Sequence, residues 1–201
     1  MIPNIILKTL KSPFRILGFG TDIKYYIKRR SIMAFKKINI DELSFNPFRK
    51  IGKQWMLLTG GSKDNYNTMT ASWGQLGVLW NKNVLTCYVR PTRHTYGYIE
   101  DNDCYTVSFL GEEFREALSF CGSHSGRDCD KAKETGLTPA EIDGCVTFAE
   151  AELVLVCRKL YSYDLQESGF LTDDGIPEKF FNGDAYHRAY ISEIVGVYVK
   201  E

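Results

Sequence analysis

From residue 53 to the C-terminus the chain runs in short apolar stretches, most of them alternating with polar residues at a period of two, the pattern of half-buried β-strands. Strands are predicted at residues 55–59, 68–73, 84–89 and 105–110, and three more close the chain at 146–148, 153–163 and 189–199. The first ends at Gly60-Gly61-Ser62, a turn composition. A helix is predicted over residues 112–120, with Gly122 as its stop. A second, short helix is predicted to begin at Thr138-Pro139-Ala140-Glu141, which offers an N-cap threonine, a first-turn proline and the return glutamate of a capping box. Strands with a few helices between them indicate a mainly β barrel or sandwich with helical insertions, not a doubly wound sheet.

The first thirty-odd residues follow a different pattern. Ile6, Leu10, Phe14 and Leu17 recur at roughly helical spacing in a basic background. Seven basic side chains stand against Asp22 in residues 1–32, a net of +6, which leaves the remainder at −6. Residues 1–32 are therefore expected to be a basic arm or an upstream extension, with Met33 as a second candidate start, and residues 33–201 to form one domain. A membrane-surface helix is the alternative reading of the arm.

Composition narrows the class. A hydrophobic content of 44% with 13% aromatic residues is that of a folded chain, and 201 residues suffice for one substantial core. An acidic body carries no electrostatic footprint for nucleic acid. No apolar run is long enough to span a bilayer, and Ile5-Ile6-Leu7 is too short for a signal-peptide core, so a cytoplasmic protein without stable membrane insertion is expected. The six cysteines are then expected to be reduced thiols.

Two segments carry candidate chemistry. In Asn67-Thr68-Met69-Thr70-Ala71-Ser72-Trp73-Gly74, strand alternation sends Thr68, Thr70 and Ser72 to one face and Met69, Ala71 and Trp73 to the other. Three small hydroxyl residues in a row make a poor core and a serviceable polar shelf for a flat, heteroatom-rich ring. Further on, Arg90-Pro91-Thr92-Arg93-His94-Thr95-Tyr96 leaves a strand, turns at a proline and enters a short helix. Arginine forks and free helix-start N–H groups suit phosphate oxygens. Shelf and cradle together point to a nucleotide-like cofactor. The plainer readings are a solvent-facing strand of good β-propensity, and surface arginines pairing with Glu100 or Asp101.

Other constellations are weaker. Cys121, His124 and Cys129 lack a second close ligand pair, so no metal site is expected. Glu150 and Glu152 lie two apart on one strand face and are ordinarily solvated. Neither a Gly-x-Ser-x-Gly elbow nor a Gly-x-Gly-x-x-Gly loop occurs, which disfavours a serine hydrolase and a Rossmann dehydrogenase.

With these segments in view, the chain resembles the flavin reductase-like family, the FMN-binding split β-barrels of Greek-key type that include the flavoredoxins. The two segments above match, as do Gly122-Ser123-His124-Ser125-Gly126-Arg127-Asp128 with Asp130-Lys131, and Gly183-Asp184-Ala185-Tyr186-His187-Arg188. The blocks are ordered along the chain, and the resemblance covers about residue 35 to the end. The resemblance implies a homodimer that binds FMN near the subunit interface and takes hydride from NADH or NADPH. It implies that Asn67, Thr68, Met69, Thr70, Ala71, Ser72 and Trp73 run along the isoalloxazine and ribityl side. Arg90, Thr92, Arg93 and Thr95 would surround the phosphate, with Arg127 or Lys131 as a further positive charge. His187 would face the nicotinamide side of the ring or serve as a structural histidine bonded to backbone. His94 stands where an aromatic such as tyrosine is expected, and Ser192 where a glycine is more usual. The expected activity is an NAD(P)H:flavin oxidoreductase with an unnamed electron acceptor. A non-enzymatic FMN electron carrier and a pyridoxamine-phosphate-oxidase-like amine oxidase are the rivals.

Overall fold

The computed structural model describes residues 35–201; the basic arm expected over residues 1–32, and the choice of Met33 as a start, lie outside the described residues. Among the described residues ten strands follow one another: β1 (Phe35–Lys37), β2 (Met56–Ser62), β3 (Asn65–Ala71), β4 (Gly74–Leu79), β5 (Lys82–Val89), β6 (Cys104–Leu110), β7 (Pro139–Ile142), β8 (Cys145–Phe148), β9 (Ala151–Asp164) and β10 (Arg188–Lys200). Helices α1 (His94–Glu100), α2 (Arg115–Ser123), α3 (Lys131–Thr135) and α4 (Ile176–Phe180) sit between them, and helical turns over residues 47–54 precede β2.

The main sheet is antiparallel in the order β3-β2-β6-β9-β10-β5-β4, with β1 added to β10. Its two end strands, β3 and β4, are joined by Ser72 and Trp73 alone. So short a link spans roughly 10 Å at most, so the two ends of the sheet must curl towards each other. No ladder joins them, and the barrel is open along that line.

The alternating runs explain the two sides of this wall. Met56, Leu58, Leu85, Cys87, Tyr105, Val107, Phe109, Leu155 and Tyr190 point inwards and form the barrel core. Leu57, Leu110, Val154 and Val156 point outwards and are buried under Leu118 and Cys121 of α2, Ala132 of α3, and Phe148 of β8. Burial on both faces is why residues 153–157 of β9 form an unbroken apolar run.

Three sequence expectations change. The helix predicted at Thr138 is instead strand β7, paired to β8 from Pro139 opposite Phe148 to Ile142 opposite Cys145. Asp143 and Gly144 both take positive φ, 50° and 75°, and make the tight hairpin turn that overrides the capping-box pattern. The Thr138 N–H donates to Glu150 Oε2 at 2.9 Å, so the cap-like threonine serves the hairpin. The helix predicted to stop at Gly122 runs through it to Ser123, after a 3₁₀ turn over Glu112–Phe114. Gly122 is there for closeness: a Cβ would lie 3.3 Å from the Thr70 side chain. Finally, β4 was missed because most of its residues are exposed and carry little alternation.

Candidate functional site

The open edge at β3 is where the recognised segments meet. Helix α1 is pressed onto β2 at Gly60, where a Cβ would stand 2.9 Å from the Tyr98 carbonyl group, so a side chain there would lift the helix away. The Asn67 side chain donates from Nδ2 to Thr95 Oγ1 at 2.7 Å, tying β3 to the first turn of α1. Between β5 and α1, residues 90–93 form a turn closed by the Arg93 N–H on the Arg90 carbonyl at 3.0 Å. The connection between α2 and α3 crosses the same edge. Gly126 lies so close to Asn67 that a Cβ would collide with its side chain.

A hollow of about 290 Å³ results, lined by Arg90, Thr92, Arg93, His94 and Thr95 from one side, and by Met69 and Lys131 from another. The connection after α2 adds Ser123, His124, Ser125, Gly126 and Arg127, and Asp184 completes the wall. Arg90 is pinned: its guanidinium pairs with the Asp184 carboxylate, donates to the Phe180 carbonyl, and lies 5.5 Å from the Phe181 ring centroid. The Ala185 N–H and Arg90 hold the Asp184 carboxyl below the usual range. Arg93 donates from Nη1 to the Gly122 carbonyl at 2.9 Å, and Arg127 to the Thr92 carbonyl at 3.4 Å. Each keeps most of its five N–H donors free among the described residues.

Lys131 is buried, and its ammonium donates to the Thr68 carbonyl at 2.9 Å and the Cys121 carbonyl at 2.8 Å. Burial, with Arg93 nearby, lowers its pKa. Its third donor remains for a ligand. Burial and the neighbouring Arg127 and Lys131 also lower the pKa of His94, which disfavours its cationic form. With Asp184 occupied by Arg90, three cations, Arg93, Arg127 and Lys131, face the hollow with no carboxylate among the described residues left to neutralise them. Such a donor set fits a phosphate.

A second hollow of about 250 Å³ continues from the first along β3 and shares Met69, Arg90 and Arg93 with it. Thr70, Ala71, Ser72 and Trp73 form its floor, with Tyr88 and His187 opposite. His187 is 9% exposed, its ring 5.2 Å from that of Trp73 and 5.6 Å from that of Phe181. Burial, then Arg90 and Arg93, push its pKa down to about 4. Its Nδ1 is buried without a hydrogen-bond partner among the described residues. Among these residues Nδ1 thus makes no bond to backbone.

The threonine shelf is arranged differently from its sequence expectation. Thr68 Oγ1 donates to the Leu58 carbonyl at 3.2 Å and lies 2.9 Å from Thr59 Oγ1, and Thr70 Oγ1 donates to the Leu118 carbonyl at 2.5 Å. These hydroxyls serve the protein, and α2 covers their face. What β3 presents is its edge. The Thr68 carbonyl reaches Lys131 on the side away from β2, so the backbone groups of Thr70, two residues on, point the same way.

Asn67 and Thr68 line a third hollow, of about 470 Å³, on the far side of Gly126 and Arg127, with Lys131 between it and the first. The remaining sequence candidates, Met69, Thr70, Ala71, Ser72, Trp73, Arg90, Thr92, Arg93, Thr95, Lys131 and His187, are brought together along the first two hollows. Neither Arg90 nor Arg93 pairs with Glu100 or Asp101; Glu100 instead takes Arg188 at 3.0 Å and the Tyr190 hydroxyl at 2.6 Å. Ser192 lies inside the barrel, fully buried and accepting from the Tyr105 hydroxyl at 2.9 Å, and lines neither hollow. Asp184 and Tyr88 were not singled out from sequence. Asp184 sits within a recognised block, in a turn marked by Gly183, whereas Tyr88 carries no local signal.

Among the described residues no helix is long and apolar enough to cross a membrane. The profile of the flavin reductase-like domain matches residues 48–201. Several solved structures share the architecture. A flavoredoxin from Methanosarcina acetivorans superposes with a TM-score of 0.57 at 20% identity, covering 80% of this chain and 76% of that one. An FMN-binding domain of a flavin reductase-like enzyme from Shewanella baltica gives 0.59 at 15% identity, over 83% and 78%. A split-barrel protein of flavin reductase type from Shewanella frigidimarina gives 0.58 at 21%, over 83% and 80%. At these identities the likeness carries the fold, the split barrel. No functionally curated protein matches the chain.

Proposed function

The chain belongs to the flavin reductase-like family, and from that premise we propose that it is an FMN-dependent oxidoreductase taking hydride from NADH or NADPH and passing electrons to a separate acceptor. The observation that carries the reading is the continuous trough on β3: a cation-rich hollow whose one carboxylate is taken up by Arg90 at one end, and a strand edge with an aromatic rim at the other. Arg93, Arg127 and Lys131 would hold the phosphate. The outward backbone of Thr70 and its neighbours would offer hydrogen bonds to the ring heteroatoms. Arg90, fixed by Asp184, shapes the passage between the two hollows.

FMN, when bound, supplies a ring that accepts hydride and stores two electrons, so the protein needs no acid or base of its own for that step. His187 fits this division of labour. A histidine with a pKa of about 4 is neutral at pH 7, so it meets a ligand as an uncharged ring and is no proton store. Trp73, 43% exposed, borders the ring end and shields that side from water. The homodimer that the resemblance implies and the cytoplasmic setting expected from the sequence belong to the same proposal.

The test is the visible spectrum of the protein after addition of FMN, recorded anaerobically before and after NADH and then NADPH. Bleaching of a bound flavin spectrum is the expected result. A flavin spectrum that persists with both nucleotides would replace the reductase with an electron carrier, or with an oxidase that takes its electrons from an amine. Failure to bind FMN at all would remove the flavin reading.

A further inference from the structure

We propose that Cys104 and Cys145 form a peroxide-responsive dithiol, which closes into a disulfide and fastens the segment that carries much of the phosphate hollow. All six cysteines are free thiols in this structure. Two of them are brought together by the way β8 lies across the outside of β6. The Thr106 hydroxyl donates to the Val146 carbonyl at 2.5 Å, and Ser108 Oγ lies 2.8 Å from Thr147 Oγ1. Strand alternation puts Cys104 on the same face of β6 as Thr106 and Ser108, and Cys145 on the same face of β8 as Thr147. Cys104 accordingly packs against the outer cluster in which Cys145 is buried. Burial, and the Cys104 thiol beside it, push the Cys145 thiol up to about 12, so it is held protonated.

The other four cysteines are placed differently. Cys87 and Cys157 belong to the barrel interior, where the Cys87 thiol lies 3.3 Å from the Tyr105 hydroxyl. Cys121 is buried on α2, and Cys129 Sγ donates to the Ser125 carbonyl at 3.5 Å.

Cys104 is the reachable member of the pair. It is partly exposed at the start of its strand, whereas Cys145 is 6% exposed. Its ladder partner on β9 is Arg158, whose guanidinium gives one N–H to Glu193 and keeps the rest free among the described residues. Oxidation then takes one molecule of peroxide. The Cys104 sulfur attacks a peroxide oxygen, the O–O bond breaks, and the departing oxygen leaves as water with the Cys104 proton, Arg158 serving as its hydrogen-bond donor. The Cys145 sulfur next displaces the hydroxyl of the sulfenic acid, forming the S–S bond and releasing a second water that carries the Cys145 proton. Two thiols give up two electrons, and one peroxide accepts them.

The bridge encloses residues 105–144, and with them α2, the connection holding Arg127, and α3 with Lys131. Neither cysteine lines the phosphate hollow or its continuation along β3, so the segment is fastened from behind. Closing so long a loop restricts the unfolded chain and raises resistance to unfolding. The bridge forms or fails whether or not the protein binds FMN.

The experiment treats the reduced full-length protein with one equivalent of hydrogen peroxide. Thiol titration in denaturant, non-reducing peptide mapping by mass spectrometry and a thermal melt follow. Two thiols are expected to disappear, recovered by dithiothreitol, with Cys104 joined to Cys145 and Tm higher by about 5 °C or more. Cys104→Ser is expected to keep all its remaining thiols under the same treatment. In Cys145→Ser, where no resolving thiol remains, a dimedone adduct is expected on Cys104. Thermal melts of the reduced variants report that each has folded. No loss of thiols, a bridge through another pair such as Cys121 and Cys129, or an unchanged Tm in the bridged protein would overturn the proposal.

Discussion

His187 is the group whose removal says most about the ring end of the trough. Its imidazole is nine-tenths buried against Trp73 and Phe181, with Nδ1 unpartnered and two guanidinium groups, Arg90 and Arg93, in its field. All three circumstances favour the neutral ring, and its pKa falls from 6.5 to about 4. The unfolded chain binds a proton at about pH 6.5 that the folded chain refuses until about pH 4. In that window the unfolded state holds more protons, so stability rises with pH. The contribution is complete above pH 6.5 and is lost as pH falls through the window to about 4.

At about 1.4 kcal/mol for each pKa unit, the full swing is about 3 kcal/mol, and about 2 kcal/mol is expected because one side of the ring faces a hollow open to water. The assay is urea unfolding of wild type and His187→Leu at intervals from pH 4 to pH 8. At pH 8 the two are expected within about 1 kcal/mol, since leucine fills similar space and removes an unpaired polar atom. Towards pH 4 the wild type is expected to fall below the variant by about 2 kcal/mol, whatever the carboxylates common to both contribute. Parallel stability curves across the whole range would refute the reasoning and place His187 in an ordinary, solvated environment.

Arg93→Ala is expected to weaken FMN binding by about 1.5–3 kcal/mol through loss of charge-assisted phosphate contacts, read by equilibrium titration; unchanged affinity would remove Arg93 from the cradle. Thr70→Val should cost about 1 kcal/mol in chemical denaturation through the lost bond to the Leu118 carbonyl, while FMN affinity stays within twofold because that hydroxyl is committed inside the protein. Gly126→Ala should displace Asn67 from Thr95, lowering FMN affinity at least severalfold and Tm by several degrees, measured by titration and calorimetry.

The barrel was legible because its strands have one face in the core and repeat at period two. Where both faces are buried, as in residues 153–157, or both largely exposed, as in β4, the alternation fades. The short run at 153–157 was still recoverable from β-branched residues and length, whereas β4 was not. The helix at Thr138 failed for a different reason. A capping box is a local preference worth about 1 kcal/mol, and eight paired residues closed by an Asp-Gly turn outweigh it.

The site shows what residue type alone leaves unresolved. Threonines on one face of a strand announce hydrogen bonding without naming the partner, and here the partners of Thr68 and Thr70 are protein carbonyls and a neighbouring hydroxyl. By satisfying those hydroxyls internally, the fold seats α2 against β3 and leaves the strand's backbone edge as the open polar surface. Lys131 follows the same logic with opposite emphasis. Two of its three donors bind α2 and α3 to β3, yet the charge it carries cannot be spent on neutral carbonyls, so it still projects into the hollow beside Arg93. A cofactor phosphate arriving there would find a cation already immobilised, with its desolvation met during folding and little entropy left to lose on binding. The residues that build the site and those that would hold the ligand are thus partly the same, which is why Lys131→Met should lower both stability and FMN affinity, whereas Arg93→Ala should lower affinity with little effect on stability.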